Sequence, residues 1–140
     1  MSSAPVRLAS LGLGWWSDVL AEEVGRAEGV EIAACYTRSE DKRCAFAEKF
    51  GGRAATSYEE ILEDASIDGI INTTPNNVHL ETTGQAAQAG KHVFLDKPIA
   101  NSVAEGMQIA ALCRDAGVKL SIGFQRRRES QFRWVKAQID

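Results

Sequence analysis

One lysine, Lys97, lies at a position where a charged side chain could take part in chemistry. It follows an apolar segment, residues 91–95, and stands between Asp96 and Pro98. Such a segment predicts a buried strand, and ligands bind beyond the carboxyl ends of strands in open α/β sheets. There an ammonium group can stabilise negative charge on a substrate oxygen and help to move its proton. The alternative is a surface lysine before a turn proline.

A glycine-rich turn near the amino terminus indicates which ligand could lie at that edge. The segment Gly12-Leu13-Gly14-Trp15-Trp16-Ser17 joins an apolar strand to a helical pattern. Its two glycines permit a tight turn and close approach to a pyrophosphate, and the helix start offers free N–H groups to phosphates. Ser17 takes the place of a third glycine and is small enough for close packing of helix on strand. The turn predicts dinucleotide binding, with a plain tight turn as the alternative.

The end of the second predicted strand indicates which dinucleotide binds. An NAD site usually has Asp or Glu here to accept hydrogen bonds from the ribose 2′-hydroxyl. This chain reads Tyr36-Thr37-Arg38-Ser39, with no acid before Glu40. Arg38 can pair with a 2′-phosphate, and Thr37 and Ser39 can donate to it, so we predict NADP in preference to NAD. In the alternative, Arg38 is a solvated loop charge and Ser39 only caps a helix. The missing acid also disfavours a methyltransferase.

Apolar runs alternate with helical patterns along the chain. Ser39, Ser57 and Ser102 are predicted helix N-caps, and the last two begin capping boxes. The helix after Ser102 is predicted to bury a stripe that includes Val103 and Met107. The alternation predicts a doubly wound, Rossmann-type α/β fold with six mostly parallel strands and helices on both faces. The predicted strands cover residues 6–11, 30–36, 54–56, 68–74, 91–95 and 118–122.

Composition and charge exclude several classes of protein. The 140 residues suffice for one domain with a core, and the net charge of −3 gives no reason to expect binding to nucleic acid or to a membrane. No segment predicts a signal peptide, a membrane span or a metal site, so the expected location is cytoplasmic. The cysteines Cys35, Cys44 and Cys113 form no CxxC pair, and we interpret each as a buried apolar side chain in a reducing compartment.

Four motifs occur in order along the chain. They are Gly12-x-Gly14, Thr74-Pro75-Asn76-x-x-His79, Gly90-Lys91-His92-Val93-x-x-Asp96-Lys97-Pro98 and Gly123-Phe124-Gln125-Arg126-Arg127. As a set, from about Val6 to the last residue, they resemble the glucose–fructose oxidoreductase / inositol dehydrogenase / MocA family. The resemblance implies an NAD(P)-dependent oxidoreductase that transfers a hydride between its cofactor and a hydroxylated small molecule such as a sugar, polyol or cyclic diol.

The resemblance also implies roles for individual residues. Lys97 would bond the reacting substrate oxygen as the catalytic residue, with Asp96 in place of the family's Glu. The Lys97-Pro98 bond is expected to be cis. The Trp15-Trp16 pair would either wall the cofactor or pack over the first helix, and His79 would cap a helix, line the pocket or serve the structure only. The cofactor-binding set is predicted to be Gly12, Gly14, Trp15, Trp16, Thr37, Arg38, Ser39, Thr73, Thr74, Pro75, Asn76, His79, Asp96 and Lys97.

Members of this family have a second α/β domain, which supplies an Asp-x-x-x-His pair and most of the substrate pocket. We therefore expect residues 1–125 to form the dinucleotide-binding domain and residues 126–140 to begin a helix toward a second domain that this chain lacks. The chain alone is expected to bind cofactor without efficient turnover, and the full-length protein to form homo-oligomers through the second domain. Phe132, Val135 and Ile139 would pack on that domain or on a partner.

Two other functions are alternatives. A stand-alone nucleotide-binding or redox-sensing module that regulates a partner would bind the same dinucleotide but would not need Lys97. A short-chain dehydrogenase is disfavoured because its Tyr-x-x-x-Lys motif is absent. Tyr36 is followed four residues later by Glu40, and Tyr58 by Leu62.

Overall fold

Strands and helices alternate through the structure, a computed structural model that describes residues 4–139. The strands are β1 (Val6–Leu11), β2 (Val30–Tyr36), β3 (Arg53–Ala54), β4 (Gly69–Asn72), β5 (His92–Leu95) and β6 (Leu120–Ile122). The α-helices are α1 (Trp15–Arg26), α2 (Glu40–Phe50), α3 (Tyr58–Glu63), α4 (His79–Gln88), α5 (Val103–Asp115) and α6 (Ser130–Ile139). Two 3₁₀ turns, Asn76–Val78 and Gln125–Arg128, precede α4 and α6.

The strands form one parallel sheet in the order β3-β2-β1-β4-β5-β6. The central strand β1 pairs with β2 on one side and with β4 on the other, so the direction of winding reverses between them. In open α/β sheets, ligands bind outside the carboxyl ends of the strands at such a reversal. The predicted doubly wound Rossmann fold is confirmed for the described residues.

Neighbouring strand residues contribute to two separate apolar cores, one on each face of the sheet. Ile70 lies in a cluster with Ile61 of α3 and Ile109 of α5. Its neighbour Ile71 lies in the other cluster, with Phe46 of α2. Successive side chains of a strand point to opposite faces, so β4 supplies apolar residues to both. Helices therefore pack on both faces, and a parallel strand between them reads as a continuous apolar run.

Three serines begin helices by capping, as the sequence predicts. The hydroxyl groups of Ser39, Ser57 and Ser102 accept from the N–H three residues later, at 3.5, 3.1 and 3.2 Å respectively. A cap of this kind stabilises a helix by about 1 kcal/mol. In the box at Ser57, the Glu60 carboxylate accepts from the N–H of Thr56 at 2.7 Å, one residue earlier than a capping box requires.

Several strands are shorter than predicted. β4 is predicted over 68–74 but ends at Asn72. The N–H groups of Asp68 and Thr73 still bond to Arg7 O and Leu11 O, at 2.8 and 2.9 Å. Beyond Thr73 the chain leaves the sheet. Similarly, β3 covers only Arg53–Ala54, β5 begins at His92 rather than at residue 91, and β6 begins at Leu120 rather than at residue 118.

The predicted buried stripe of α5 is wrong in its first turns. Val103 is 81% exposed and Met107 is 70% exposed, whereas Gly106, Ile109 and Cys113 are buried. The helix turns its glycine toward the core, so its buried face is rotated away from the larger apolar residues. Hydrophobic spacing alone did not show that a glycine would form the contact.

The cysteines differ in burial, which corrects one prediction. Cys35 and Cys113 are buried as expected, but Cys44 is exposed on α2. Burial raises the pKa of the Cys35 thiol to about 11. Cys44 therefore does not serve as a small core residue.

The last helix, α6, contributes nothing to either core. All its described residues are exposed, including Phe132, Trp134, Val135 and Ile139. Residues 1–3 and 140, which belong to the two predicted segments 1–125 and 126–140, lie outside the described residues. No helix within residues 4–139 combines the length and the apolar character that a membrane crossing needs.

Candidate functional site

The turn between β1 and α1 admits only glycine at Gly12. Its φ is +84°, a conformation that other residues rarely adopt. A Cβ atom at this position would lie 2.7 Å from the backbone nitrogen of Thr74, inside any real contact distance. The Gly12 N–H donates to Tyr36 O at 3.1 Å. The glycine thus lets the turn lie against the end of β2 and against the loop that follows β4.

The start of α1 is open on the side where a ligand would approach. A Cβ atom on Gly14, the N-cap, would meet nothing within 4 Å. Ser17 is buried, and its N–H and hydroxyl both donate to Gly14 O, at 3.1 and 2.6 Å. The first two N–H groups of the helix, those of Trp15 and Trp16, have no partners within it, and the helix dipole favours negative charge there. This open, amide-lined turn fits the pyrophosphate of a dinucleotide.

The tryptophan pair lies beside this turn. Trp15 is 77% exposed, and its ring meets that of Trp16 edge to face at a centroid distance of 5.3 Å. Trp15 also lines a shallow groove between α1 and α2, together with Lys42 and Lys49. Both predicted roles of the pair, as a cofactor wall or as packing over the helix, stay predictions.

A groove of about 390 Å³ opens at the carboxyl edge of the sheet, at the point where the winding reverses. Its walls include Gly12, Thr37, Arg38, Thr74 and Pro75, which come from three different loops. The groove therefore joins the glycine turn to the loops after β2 and β4, as a dinucleotide site of this fold requires.

The loop after β2 presents an unpaired cation to the groove. Among residues 4–139, Arg38 has no hydrogen-bond or ion-pair partner, and its side chain is exposed. The neighbouring Arg43 is different, because its guanidinium lies 3.5 Å from the Glu40 carboxylate. Ser39 accepts the capping bond of α2. Its hydroxyl hydrogen can still be donated to a ligand.

Sequence reasoning missed seven further residues that line the groove. Two of them carry chemistry: Glu81 adds a carboxylate, and Tyr58 donates its hydroxyl to Thr82 O at 2.9 Å. Burial raises the pKa of Tyr58, so the phenol stays protonated. The signal that could have found these residues is position, because the first turns of α3 and α4 follow strands at the same edge. The seven are Leu11, Tyr36, Tyr58, Asn77, Val78, Glu81 and Thr82.

A buried asparagine holds the loop after β4. Asn72 Oδ1 accepts from the Thr74 N–H at 3.1 Å and from the Thr74 hydroxyl at 2.7 Å. Its Nδ2 donates to the hydroxyls of Thr82 and Thr83, at 2.8 and 3.4 Å. One side chain therefore fixes the loop to the first turns of α4. Its signal in the sequence was a polar residue at the end of an otherwise apolar strand.

Thr73 and Asn76 serve this loop differently from Thr74 and Pro75. The Thr73 hydroxyl donates to Gly12 O, and also to Leu11 O at 3.2 Å, so it ties the loop to the β1–α1 turn. Asn76 begins the 3₁₀ turn behind the loop and is not a wall of the groove. For both residues, direct contact with a cofactor stays a prediction.

Asp96 and Lys97 follow β5 at the same edge of the sheet. The Asp96 N–H donates to Asn72 O at 2.9 Å, and the Lys97-Pro98 bond is cis, as predicted. Lys97 is exposed and has no partner among residues 4–139. Asp96 Oδ1 is buried without a hydrogen bond, and a Cβ atom on Gly123 would lie 3.3 Å from it. A buried carboxylate oxygen without a donor, on the residue before an unpaired lysine, suits a site that a polar ligand completes.

His79 lies in the interior between two of these loops. Its Nε2 is 2.8 Å from Thr74 O, and its Nδ1 is 3.1 Å from Pro98 O and 3.3 Å from Ile99 O. The side chain is buried, and the N-cap of α4 is Val78. The ring therefore neither caps the helix nor lines the groove, and its position corresponds to the structural alternative.

The structure thus divides the predicted site residues into two groups. Gly12, Thr37, Arg38, Thr74 and Pro75 share the walls of one groove. The others surround it at the same edge of the sheet without forming its walls: Gly14, Trp15, Trp16, Ser39, Thr73, Asn76, His79, Asp96 and Lys97.

Comparison with known proteins bears on this arrangement. The family described as "Oxidoreductase family, NAD-binding Rossmann fold" (GFO_IDH_MocA) matches residues 6–124. The chain is 32% identical to a 1,5-anhydro-D-fructose reductase of Ensifer adhaerens over 81% of this chain and 34% of that protein. It is 34% identical to a D-xylose 1-dehydrogenase (NADP(+)) of Haloferax volcanii over 86% of this chain and 36% of that protein.

A solved structure is similar over nearly the whole chain. KijD10, a 3-ketoreductase from Actinomadura kijaniata in complex with NADP and TDP-benzene, has a TM-score of 0.91 and 26% identity, covering 97% of this chain and 42% of that one. The chain spans about a third of the length of the curated relatives named above. By its matched residues and its fold, the chain belongs to the glucose–fructose oxidoreductase / inositol dehydrogenase / MocA family and contains that family's NAD-binding Rossmann domain.

Proposed function

We propose that this chain binds NADP in the groove between the β1–α1 turn and the loops after β2 and β4. The observation that carries the proposal is the unpaired Arg38 guanidinium on a groove that also contains Gly12 and Thr74. A guanidinium favours the charge and geometry of a 2′-phosphate. The pyrophosphate would then lie on the open start of α1.

Three features of the β2 loop support NADP over NAD. No carboxylate follows β2 until Glu40, and that carboxylate lies 3.5 Å from Arg43. Thr37 lies in the groove and Ser39 lies beside it, each with a hydroxyl that can donate to a phosphate. Two relatives point the same way, since one is named for NADP and one was solved with NADP bound.

We further propose that Lys97 is the catalytic residue of the complete protein, acting on a hydroxylated substrate such as a sugar or polyol. A bound nicotinamide would supply or accept the hydride. The Lys97 ammonium would bond the reacting oxygen and stabilise the negative charge that develops as its proton leaves. Its exposure and its lack of a protein partner within residues 4–139 support this role.

The division of the protein is also a proposal. Residues 1–125 would form the cofactor domain, and residues 126–140 would begin the connection to a substrate domain that also forms a homo-oligomer. The exposed apolar residues of α6 support this, because a contiguous exposed apolar surface is typical of a site that packs against another domain or partner. The chain alone would then bind cofactor without efficient turnover. If a stand-alone regulatory module is the better description, cofactor binding persists but no substrate meets Lys97.

The test is a calorimetric titration of the chain with NADPH and with NADH. We expect NADPH to bind more tightly, and Arg38→Ala to weaken NADPH by roughly tenfold to a hundredfold while leaving NADH nearly unchanged, because only NADPH carries the 2′-phosphate. Arg114→Ala is the matched control, since Arg114 is an exposed arginine whose guanidinium bonds, among residues 4–139, to Asp115 alone, at 3.1 Å. Tighter binding of NADH by the unmodified chain would refute the proposed cofactor.

A further inference from the structure

We propose that His79 is a positioning residue, which holds the Lys97 loop against the Thr74 loop and so sets the nicotinamide half of the site. This inference rests on the proposed function. The two loops follow different strands, β4 and β5, and each carries residues of the predicted cofactor-binding set, Thr74 on one and Lys97 on the other. A residue between them would set their spacing without touching the ligand.

Within the described residues, the hydrogen-bond partners of the ring are main-chain oxygens alone. Nε2 is 2.8 Å from Thr74 O, while Nδ1 is 3.1 Å from Pro98 O. Carbonyl oxygens only accept, so a ring nitrogen forms a hydrogen bond here only when it carries a proton to donate. A neutral imidazole donates from one nitrogen and a protonated one from both. In either state, the ring fills the space between the two loops from a buried position.

The Lys97 loop has little else to hold its backbone. Asp96 is anchored by its N–H on Asn72 O at 2.9 Å, and α5 begins with the Ser102 cap. Between these anchors, within the described part of the chain, the main chain of residues 97–101 has hydrogen bonds to the His79 ring and to no other group. Without the ring, side-chain packing alone would hold this segment in place. The position of Lys97, the first residue of the segment, would then be less well fixed.

The Thr74 loop is held twice, which predicts the direction of the effect. Asn72 fixes the N–H and hydroxyl of Thr74, and His79 fixes its carbonyl. Loss of the ring should therefore disturb the Lys97 side more than the Thr74 side. Arg38 and Thr37 follow β2, and neither is bonded to the ring or to Asn72, so the adenosine half of the site should keep its geometry.

The experiment compares two ligands on the same variants. NADPH occupies the whole site, whereas 2′,5′-ADP carries the adenosine half and its 2′-phosphate without nicotinamide. For His79→Ala, we expect the Kd of NADPH to rise about tenfold, and that of 2′,5′-ADP to change by less than about twofold. His79→Gln keeps an N–H donor for one loop and should lie between the unmodified chain and His79→Ala.

Lys91→Met is the matched control for a purely structural effect. Lys91 is also buried, and its Nζ donates to two main-chain carbonyls, Asp64 O and Ile67 O, at 2.7 and 2.9 Å. It precedes β5 and so lies at the opposite edge of the sheet. This variant should lower the thermal midpoint without changing the ratio of the two dissociation constants.

The outcomes separate the two proposals. An unchanged ratio in a folded His79→Ala, or an equal loss for both ligands, would overturn the positioning role. If His79→Ala does not fold, the same criterion applies to His79→Gln. If the unmodified chain binds neither NADPH nor 2′,5′-ADP, the proposed function itself fails. If it binds both and only the ratio test fails, the cofactor proposal stands and the role of His79 is refuted.

Discussion

Two lysines flank the same strand, β5, and the chain uses them in opposite ways. Lys91 precedes the strand, is 6% exposed, and donates to two backbone carbonyls at 2.7 and 2.9 Å. Lys97 follows the strand, is exposed, and has no partner among residues 4–139. A buried ammonium persists only when its hydrogen bonds are satisfied, whereas a free one at a ligand edge is available for chemistry. Residue type alone therefore does not separate structure from function.

The arginines repeat this contrast between the two edges of the sheet. Arg7, at the start of β1, donates its side chain to Ser66 O at 3.1 Å and to the Glu31 carboxylate at 2.8 Å. Arg38, after β2, has no partner in the described chain. The amino edge thus pairs Lys91 and Arg7 within the fold, while the carboxyl edge leaves Lys97 and Arg38 unpaired among residues 4–139. We infer that pairing of these cationic side chains distinguishes the two edges.

The largest effect is expected at Gly12, which lies at the carboxyl edge but is also required for the fold. Gly12→Ala forces a side chain into positive φ and against the backbone nitrogen of Thr74, 2.7 Å away. We expect the free energy of unfolding to fall by roughly 3 kcal/mol or more, with loss of nucleotide binding. Urea unfolding followed by circular dichroism measures the change.

Gly14→Ala is the control for that prediction. Gly14 has a φ of −107° and open space at its Cβ position. We expect it to cost less than about 1 kcal/mol of stability, so that any loss of cofactor affinity reflects crowding of the phosphate site. Equal losses of stability in the two glycine variants would show that the clash with Thr74 is not what fixes the turn.

The lysine pair gives the next largest effect. Lys91→Met removes the donor to the buried Ile67 carbonyl and one of the two donors to the Asp64 carbonyl, and we expect a loss of about 2 kcal/mol in the free energy of unfolding. Lys97→Met removes an exposed group without partners and should change stability by less than about 0.5 kcal/mol. Denaturant midpoints of the two variants, measured side by side, check this. A larger loss at Lys97 than at Lys91 would reverse the comparison on which the assignment of the two edges rests.

Local patterns predicted the elements better than they predicted the contacts of the site. Ser57 and Ser102 cap their helices because capping depends on residues only three positions apart. The bond between the His79 ring and Pro98 O joins residues that are distant in sequence, and neither has a local signal for the other. The phase of α5 also depended on a distant contact, since Gly106 rather than Met107 faces the core.

In the candidate site, the residues that follow strands were predicted, whereas the residues that belong to helices were not. Gly12 and Arg38 were identified because each follows a strand, and a parallel sheet brings such positions together. Glu81 and Tyr58 were missed because they belong to the first turns of helices, where the face that meets the groove depends on helix packing. The burial of Lys91 could not be predicted from the sequence, because its partners are main-chain carbonyl groups, which every residue type has.

The smallest expected effect lies at the amino edge, where Asp64 carries part of the same saturated network. Hydrogen bonds from the Ser66 hydroxyl and N–H, with a contribution from Arg53, lower the pKa of Asp64 to about 2 from its ordinary value of 3.8. Because the folded pKa lies below the unfolded one, this contribution to stability is present above about pH 4 and is lost as the pH falls toward about 2. Asp64→Asn should lower the thermal midpoint slightly at neutral pH, where the charged form contributes, and should flatten its decline in that window, because the variant has no such contribution to lose. If the thermal midpoint of the variant declines as steeply as that of the unmodified chain, Asp64 does not contribute to the acid sensitivity of the amino edge. The contrast between Lys91 and Lys97 does not depend on that result, because the paired methionine variants test it separately.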